Sequence, residues 1–473
     1  MSDGEKKALI FKWLWETESL KTLLPVFTLL CLLNGCRPSS AEPPASLNGR
    51  WVGSIAFRGR TDPMIMDFYG ASGEWQAFFG KPGLPDYLFA PAVNVRFQDP
   101  HLSFEFRDGG ERLSFVGIIA GDSFKGGARL GEQEMVLELR RTGAAAARTS
   151  QPFTEEAIQF RNGEVSFAGA LLLPSGPGPH PAIVLIHGSG SQSREEWRII
   201  GMLFAREGVA ALLYDKRDVG HEPSGTDLVD LRDLAGDALA AVALLKARND
   251  IRGDQIGLWG ISQGGMVAPI AAAQSSDVAF VIAVSAPGVS YAELYQFVVA
   301  NALRSRGFSG GEVLEATDAL RRLDNFVRRR NPQGARPMLE EARRKRWFEF
   351  STLPPAPPTE TELRTWVRWR NLDLDPTHHW ERVKVPALLI YGEREDRMPV
   401  DKCVERIREA LQRAGNSRNM IKVVPGADHE LMLAPNTGAR EQRSVEVSAD
   451  RRIAPDYLDT MTGWLREQLG LAR

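Results

Sequence analysis

The hydrophobic and polar positions follow different patterns in different parts of the chain. After residue 150, short continuous apolar runs alternate with longer segments of helical periodicity. These runs lie at 181–186, 209–214, 279–284, 386–391 and 420–424. Continuous apolar runs separated by helical segments are typical of a mostly parallel sheet covered by helices on both faces. The pattern therefore predicts an α/β domain over residues 150–473.

Residues 47–143 have shorter runs with partial alternation of apolar and polar positions. Gly, Asp and Pro residues separate these runs, which lie at 51–57, 64–69, 102–106, 113–118 and 135–139. Short alternating strands between turn residues predict an antiparallel sheet, folded either as a barrel or as a sandwich. This small β-domain could hold substrate or could serve as a spacer.

About one hundred residues separate the apolar run that ends near Ser285 from the run that begins at residue 386. Helical periodicity at 291–306 and 312–330 predicts a helical insertion over about 290–380. The insertion is rich in arginine, at positions 304, 306, 321, 322, 328, 329, 330, 343, 344 and 346. A solvated helix face explains such a charge run, and capture of anionic substrates or of an anionic membrane surface is the alternative. Trp347, Trp366, Trp369 and Trp380 could line a pocket or pack in the core.

The N-terminal segment has the pattern of an export signal. An apolar run at 23–33 follows Lys12 and Lys21, is too short to span a bilayer comfortably, and ends in Leu33-Asn34-Gly35-Cys36. A cysteine after Leu-x-Gly resembles the bacterial lipobox. This resemblance implies a signal peptide over 1–36, lipid attachment at Cys36 and a Pro- and Ser-rich tether over 37–46. We therefore expect an exported, membrane-anchored protein of the periplasm or outer membrane; a plain cleaved signal and an uncleaved anchor are the alternatives.

Composition and charge narrow the classes of partner. The formal net charge of -2 argues against a nucleic-acid partner, which requires a concentrated basic surface. We find no phosphate-binding loop, no paired-cysteine zinc spacing and no His-Glu-x-x-His motif, so the sequence predicts neither a cofactor nor a metal ion. Of three cysteines, only Cys403 lies after Cys36, the residue predicted to carry lipid. The mature domains that follow Cys36 are therefore expected to contain no internal disulfide.

One motif that could carry out catalysis lies at residues 256–265, Ile-Gly-Leu-Trp-Gly-Ile-Ser-Gln-Gly-Gly. Apolar residues lead into Ser262, Gly260 and Gly264 flank it, and a segment of small residues follows. This order predicts a serine on a sharp turn between a strand and a helix. Such a turn exposes the hydroxyl, but the serine needs a base to become a nucleophile.

Together with the glycine-rich turn His187-Gly188-Ser189-Gly190 and the segment at 214–225, this motif resembles the α/β-hydrolase superfamily over about residues 155–473. The resemblance implies a mostly parallel sheet with a helical lid and a triad in the order serine, acid, histidine. It also implies that the backbone amides of Ser189 and Gln263 form the oxyanion site. In the segment at 214–225, Asp215 and Arg217 are expected to fix the sheet edge, with no catalytic role.

The resemblance assigns the base to His429. Of seven histidines, His378, His379 and His429 follow Ser262, and the first two precede the strand that should carry the acid. Two neighbouring residues compete for the acid. The family's usual spacing favours Glu395, whereas the family's usual residue type favours Asp396, and both remain open.

These features predict a lipid-anchored serine hydrolase that cleaves carboxylic esters through an acyl-enzyme intermediate. A peptidase or aminopeptidase acting on short peptides is the alternative within the same chemistry. A catalytically silent binding lipoprotein is the alternative from a different class.

Overall fold

A computed structural model describes residues 47–57, 60–71, 74–80, 82, 89–108, 111–130, 133–145, 153–217, 230–433 and 452–471. The predicted signal peptide, the tether and Cys36 lie outside these residues. The chain divides into two compact units: Gly80–Ala90 and the chain from Ala147 onward form the second, and the remainder forms the first. Within the described ranges, no helix combines the length and the apolar character needed to cross a membrane.

The first unit is built on an antiparallel sheet of nine strands in the order β4-β3-β2-β1-β9-β8-β7-β6-β5. The strands are β1 Gly49–Phe57, β2 Arg60–Ala71, β3 Glu74–Gly80, β4 Ala90–Pro91, β5 Val93–Gln98, β6 His101–Asp108, β7 Glu111–Ala120, β8 Ser123–Leu130 and β9 Gln133–Gly143. Each of the five predicted runs falls within one of these strands.

Ring contacts across this sheet show how it closes. Trp75 on β3 and Phe97 on β5 lie near opposite ends of the strand order, yet their ring centroids are 5.7 Å apart. Phe68 on β2 also meets Phe104 on β6 at 5.7 Å. The sheet therefore curls around one apolar core into a nearly closed barrel, which decides between the two predicted forms.

The second unit contains the α/β domain. Its elements are β10 Phe153–Asn162, β11 Val165–Pro174, β12 His180–Ile186, α1 Arg198–Arg206, β13 Ala210–Tyr214, α2 Leu231–Lys246, β14 Ile251–Ile261, α3 Gln263–Gln274, β15 Phe280–Val284, α4 Tyr291–Ser305, α5 Gly310–Arg328, α6 Arg336–Ala342, α7 Glu360–Thr365, α8 Val367–Arg370, α9 Thr377–Trp380, β16 Ala387–Gly392, α10 Val400–Arg413, β17 Asn419–Val424, β18 Met432–Leu433, β19 Arg452–Ile453 and α11 Pro455–Leu469.

The main sheet has eight strands in the order β10-β11-β13-β12-β14-β15-β16-β17. From β13 onward the neighbouring strands are parallel, whereas β10 pairs with β11, and β11 with β13, in the antiparallel sense. Both faces are covered: Val184 of β12 packs in a core with α2, α3 and α10, and Leu185 packs in a second core with α1 and α11. Because side chains alternate between two buried faces, these strands are apolar throughout. The predicted fold class is confirmed.

Helices α4 to α9 lie in the predicted insertion, which we call the lid, and α4 to α8 share an apolar core of their own. Ser290 and Ser309 begin α4 and α5 with capping boxes, in which the serine hydroxyl and a glutamate three residues later satisfy backbone amides reciprocally. Trp347 and Trp369 are buried in the lid core, and Trp380 is buried against the sheet. Burial of Trp347 and Trp380 favours packing over a role in a pocket, whereas Trp369 also lines a cavity.

Several lid arginines form ion pairs on the surface. Arg328 binds Asp373, Arg346 binds Glu312 and Arg321 binds Asp318. These pairs are typical of a solvated helix face. A cavity of about 570 Å³ lies against Arg328 and Trp369 of the lid, and none of the predicted site residues lines it.

Candidate active site

The predicted nucleophile lies on a strained turn. Strand β14 ends at Ile261, helix α3 begins at Gln263, and Ser262 between them has φ 54° and ψ −114°. A positive φ is uncommon for a residue with a side chain and costs about 1–3 kcal/mol, so the surrounding structure must hold it. The Ser262 amide donates to the carbonyl of Val284, 2.9 Å away, at the end of β15.

Close backbone approaches explain the two flanking glycines. A Cβ atom at Gly260 would lie 2.3 Å from the Gly264 carbonyl oxygen. A Cβ atom at Gly264 would lie 2.5 Å from the carbonyl oxygen of Ile186 at the end of β12. Contacts of this length are repulsive, so the turn closes only when both positions lack a side chain.

The predicted base lies on a neighbouring loop. His429 follows β17, its side chain is 4% exposed, and its Nδ1 lies 2.6 Å from Oε2 of Glu395 on the loop after β16. Since the carboxylate accepts, Nδ1 carries the proton in this assignment and Nε2 keeps its lone pair. The second carboxylate oxygen of Glu395 accepts from the Arg397 amide at 2.8 Å.

The two candidate acids occupy different environments. The Glu395 side chain is fully buried beside the imidazole, whereas Asp396 is exposed and offers its backbone carbonyl to the Asn301 amide at 2.9 Å. Of the two, the structure brings Glu395 to His429. The family's usual spacing, which favoured Glu395, thus identifies the residue that contacts His429, whereas the usual residue type favoured Asp396, which does not make this contact.

The other ring nitrogen of His429 lacks a hydrogen-bond partner among the described residues. Nε2 is buried and makes no hydrogen bond with any residue that the structure describes. The structure therefore does not join Ser262 Oγ to Nε2 by a hydrogen bond, although both residues are anchored on the end of β15. The Ser285 hydroxyl, one residue beyond that strand, donates to the His429 carbonyl at 2.8 Å. Bonds between nucleophile and base are often long before substrate binds.

The predicted oxyanion residues lie at the same sheet edge. Ser189 follows β12, and Gln263 is the buried first residue of α3, where helix amides have no acceptor within the helix. His187, two residues before Ser189, donates from Nε2 to the Tyr214 carbonyl at 2.5 Å. Burial lowers the pKa of His187 to about 4, so this imidazole is neutral at pH 7. Its contact with β13 is structural.

The segment after β13 contains one residue that the sequence analysis did not single out. Asp215 binds Arg194, and Arg217 binds the buried Asp237. Between them, the ammonium of Lys216 is buried and donates to Gly188, Gly190 and Gln263. Its position directly after a parallel strand, at the edge where sites form, was the available signal. The remainder of the motif, from Asp218 onward, lies outside the described residues.

These observations define a serine, a histidine–glutamate pair and two helix- or turn-borne amides at the carboxyl edge of one parallel sheet. The sequence profile of the Alpha/beta hydrolase family matches residues 183–441 of the chain. The protein belongs to this family.

The relatives of this chain include two bacterial proteins whose names describe an activity. Esterase EstD of Thermotoga maritima is 26% identical over 309 residues, which are 63% of this chain and 65% of that protein. Quorum-quenching protein AidA of Acinetobacter baumannii is 30% identical over 126 residues, or 26% of this chain and 41% of that protein. The chain thus matches less than two thirds of the length of either relative.

Solved structures of similar chains also exist. The crystal structure of the α/β hydrolase GrgF from Penicillium sp. has a TM-score of 0.42 at 18% identity, with 67% of this chain and 99% of that chain covered. Dienelactone hydrolase from Anabaena variabilis has a TM-score of 0.36 at 19% identity, with coverages of 68% and 100%.

Proposed function

We propose that this protein is a serine hydrolase that cleaves carboxylic esters. The observation that carries the proposal is the buried pair of Glu395 and His429, because it leaves a basic nitrogen without a hydrogen-bond partner among the described residues, at the same sheet edge as a serine on a strained turn. The similarity to a protein named as an esterase supports the choice of ester over other acyl substrates.

In the proposed reaction, Ser262 Oγ attacks the ester carbonyl carbon while His429 Nε2 takes the hydroxyl proton. The amides of Ser189 and Gln263 donate to the oxygen that becomes negative, an interaction worth about 3 kcal/mol per donor. The C–O bond to the alcohol then breaks, and the alcohol leaves with the proton from Nε2. Water, deprotonated by His429, cleaves the acyl-enzyme and releases the acid. Glu395 keeps its charge and stabilises the imidazolium at both steps.

A fluorophosphonate probe tests the nucleophile. We expect covalent labelling of the wild-type protein and none of Ser262→Ala, with Ser191→Ala as the matched control. A panel of chromogenic esters of increasing acyl length, set beside aminoacyl anilides, then separates an esterase from a peptidase. Faster turnover of the anilides would favour the peptidase, and an unlabelled wild-type protein would favour a silent binding lipoprotein.

We also propose that Cys36 carries a lipid that holds the enzyme at a membrane after export. The support is the sequence around Cys36 alone. Detergent partitioning of wild-type protein expressed in a bacterial host, compared with Cys36→Ala, tests this. Equal membrane retention of the two proteins would contradict lipid anchoring.

A further inference from the structure

Lys216 is a buried cation that the proposed reaction does not use. It follows β13 directly, and its residue is 3% exposed. Its two neighbours are held by ion pairs of their own, Asp215 with Arg194 and Arg217 with Asp237. The Lys216 amide also donates to the Gln192 carbonyl at 3.1 Å. The backbone at Lys216 is therefore fixed on both sides, and the direction of its side chain is set.

The ammonium joins the two segments that carry the oxyanion amides. Nζ donates to the carbonyl oxygens of Gly188 at 3.0 Å and Gly190 at 2.8 Å, and to Oε1 of Gln263 at 2.9 Å. A lysine ammonium has three N–H donors, so it can bind all three acceptors at once. Two of the acceptors belong to the turn after β12 and the third to the first residue of α3.

The contact with Gly188 has a direct consequence for Ser189. The Gly188 carbonyl and the Ser189 N–H belong to one planar peptide group, in which the two bonds point in opposite directions when the peptide is trans. Fixing the carbonyl on the ammonium therefore fixes the direction of the N–H. A cation at the carbonyl oxygen also polarises the peptide group and makes its N–H a stronger donor to an anion.

The Gln263 side chain is held from a second direction by the lid. Its Nε2 lies 3.4 Å from the hydroxyl of Tyr291, the first residue of α4. The residue that follows the nucleophile is thus fixed between Lys216 and a lid helix. A buried positive charge that bridges the turn after β12 and the first residue of α3 also favours the negative charge that develops on the substrate oxygen.

We infer that Lys216 is a positioning residue of the oxyanion site: its ammonium orients and polarises the Ser189 amide through the Gly188 carbonyl and holds the Gln263 side chain, without touching substrate. This inference rests on the proposed ester hydrolysis. It predicts that loss of the ammonium weakens binding of the transition state and leaves binding of the substrate ground state unchanged.

The first test compares Lys216→Met, which keeps the aliphatic stem, with the control Lys246→Met. In the wild-type protein, Lys246 is the last residue of α2, and its exposed ammonium pairs with Asp277. With a chromogenic ester, we expect kcat of Lys216→Met to fall about 30- to 100-fold and KM to change less than about threefold. Lys246→Met should keep both constants within about twofold. A kcat of Lys216→Met within threefold of wild type would overturn the inference.

The second measurement uses a trifluoromethyl ketone, which forms an adduct with its oxyanion in the same site as the transition state. Its inhibition constant should rise by the same factor as kcat falls, a correlation that a general loosening of the fold would not produce. A raised KM with an unchanged inhibition constant would show a merely structural role and would overturn the inference.

Lys216→Gln is the second variant if Lys216→Met does not fold, because it keeps a neutral donor. We expect its kcat to lie between those of wild type and Lys216→Met, about tenfold below wild type, and a wild-type kcat would contradict the inference. Ser262→Ala, assayed in parallel, distinguishes failure of the proposed ester hydrolysis from failure of the inference about Lys216. If Ser262→Ala matches wild type, the proposed function itself fails; if only the Lys216 variants match wild type, the inference alone fails.

Discussion

Two buried histidines at the same sheet edge have opposite arrangements. His187 on the turn after β12 binds the Tyr214 carbonyl through Nε2, and its Nδ1 has no hydrogen-bond partner among the described residues. His429 on the loop after β17 binds the Glu395 carboxylate through Nδ1 and leaves Nε2 without a partner. Only the second partner carries a charge that stabilises an imidazolium. Burial alone does not make a base; the identity of the partner decides.

The largest expected effect separates the two imidazoles directly. Because His429 is the proposed proton acceptor, His429→Gln should lower kcat/KM for an ester by about 10⁴-fold, the usual effect of removing a triad member. His187→Gln keeps an N–H donor for Tyr214 and should cost at most about tenfold. Steady-state kinetics measure both. Comparable losses in the two variants would erase the distinction between the two histidines.

The next largest effect tests the carboxylate partner of His429 rather than the imidazole itself. Glu395→Gln preserves the shape of the side chain and removes the charge that orients and stabilises His429, so kcat should fall about 10²- to 10⁴-fold. Asp396→Asn is the matched control on the neighbouring exposed residue and should stay within about threefold. The same ester assay measures both variants, and a greater loss in Asp396→Asn would assign the acid to the other carboxylate.

Each histidine loop also packs against a glycine. A Cβ atom at Gly264 would lie 2.7 Å from the His187 carbonyl oxygen, and one at Gly392 would lie 2.2 Å from the Asp428 carbonyl oxygen. Since backbone must move in both cases, Gly264→Ala and Gly392→Ala should each lower the free energy of unfolding by about 3 kcal/mol or more.

Gly463 supplies the control for those two variants, because nothing lies within 4 Å of a Cβ atom there. It lies inside α11, where alanine is preferred over glycine, so Gly463→Ala should raise the free energy of unfolding by about 0.5–1 kcal/mol. Urea denaturation measures all three. Wild-type stability of Gly264→Ala or Gly392→Ala would mean that the loop concerned is not held by this close approach.

The smallest effect is a pH dependence of stability that belongs to His187. Its pKa is lowered from 6.5 to about 4 in the folded protein by burial. Between those values the unfolded chain binds more protons, so stability is full above pH 6.5 and falls as the pH drops toward 4, by up to roughly 3 kcal/mol.

Denaturation of wild type and His187→Gln at several pH values between 7 and 4 isolates this contribution from the carboxylates, which titrate in both proteins. We expect the gap in stability between the two proteins to narrow or reverse as the pH falls. A gap that stays constant across this window would show that the buried imidazole does not resist protonation.

Local pattern predicted the six parallel strands of the main sheet and the first lid helices, but not the antiparallel strands β10 and β11. Strand β15 was expected to begin at residue 279 and begins at Phe280, and α4 begins at Tyr291 as expected. Strands buried on both faces are apolar throughout, and capping residues mark helix starts, so both signals are local. Helix α5 begins at Gly310 rather than at residue 312, because Ser309 caps it.

The sequence by itself determined the parallel sheet, the serine turn between Gly260 and Gly264, and the short set of residues from which an acid and a base could come. The tertiary structure decided three further points: the barrel-like closure of the β-domain, the contact of Glu395 rather than Asp396 with His429, and the contacts of Lys216 with the turn after β12 and with Gln263. Each of these depends on backbone segments that are distant in sequence and meet only after folding. The local sequence pattern indicates which residues are buried and where turns occur. The hydrogen-bond partner of a buried polar group depends instead on which loops the folded sheet brings together.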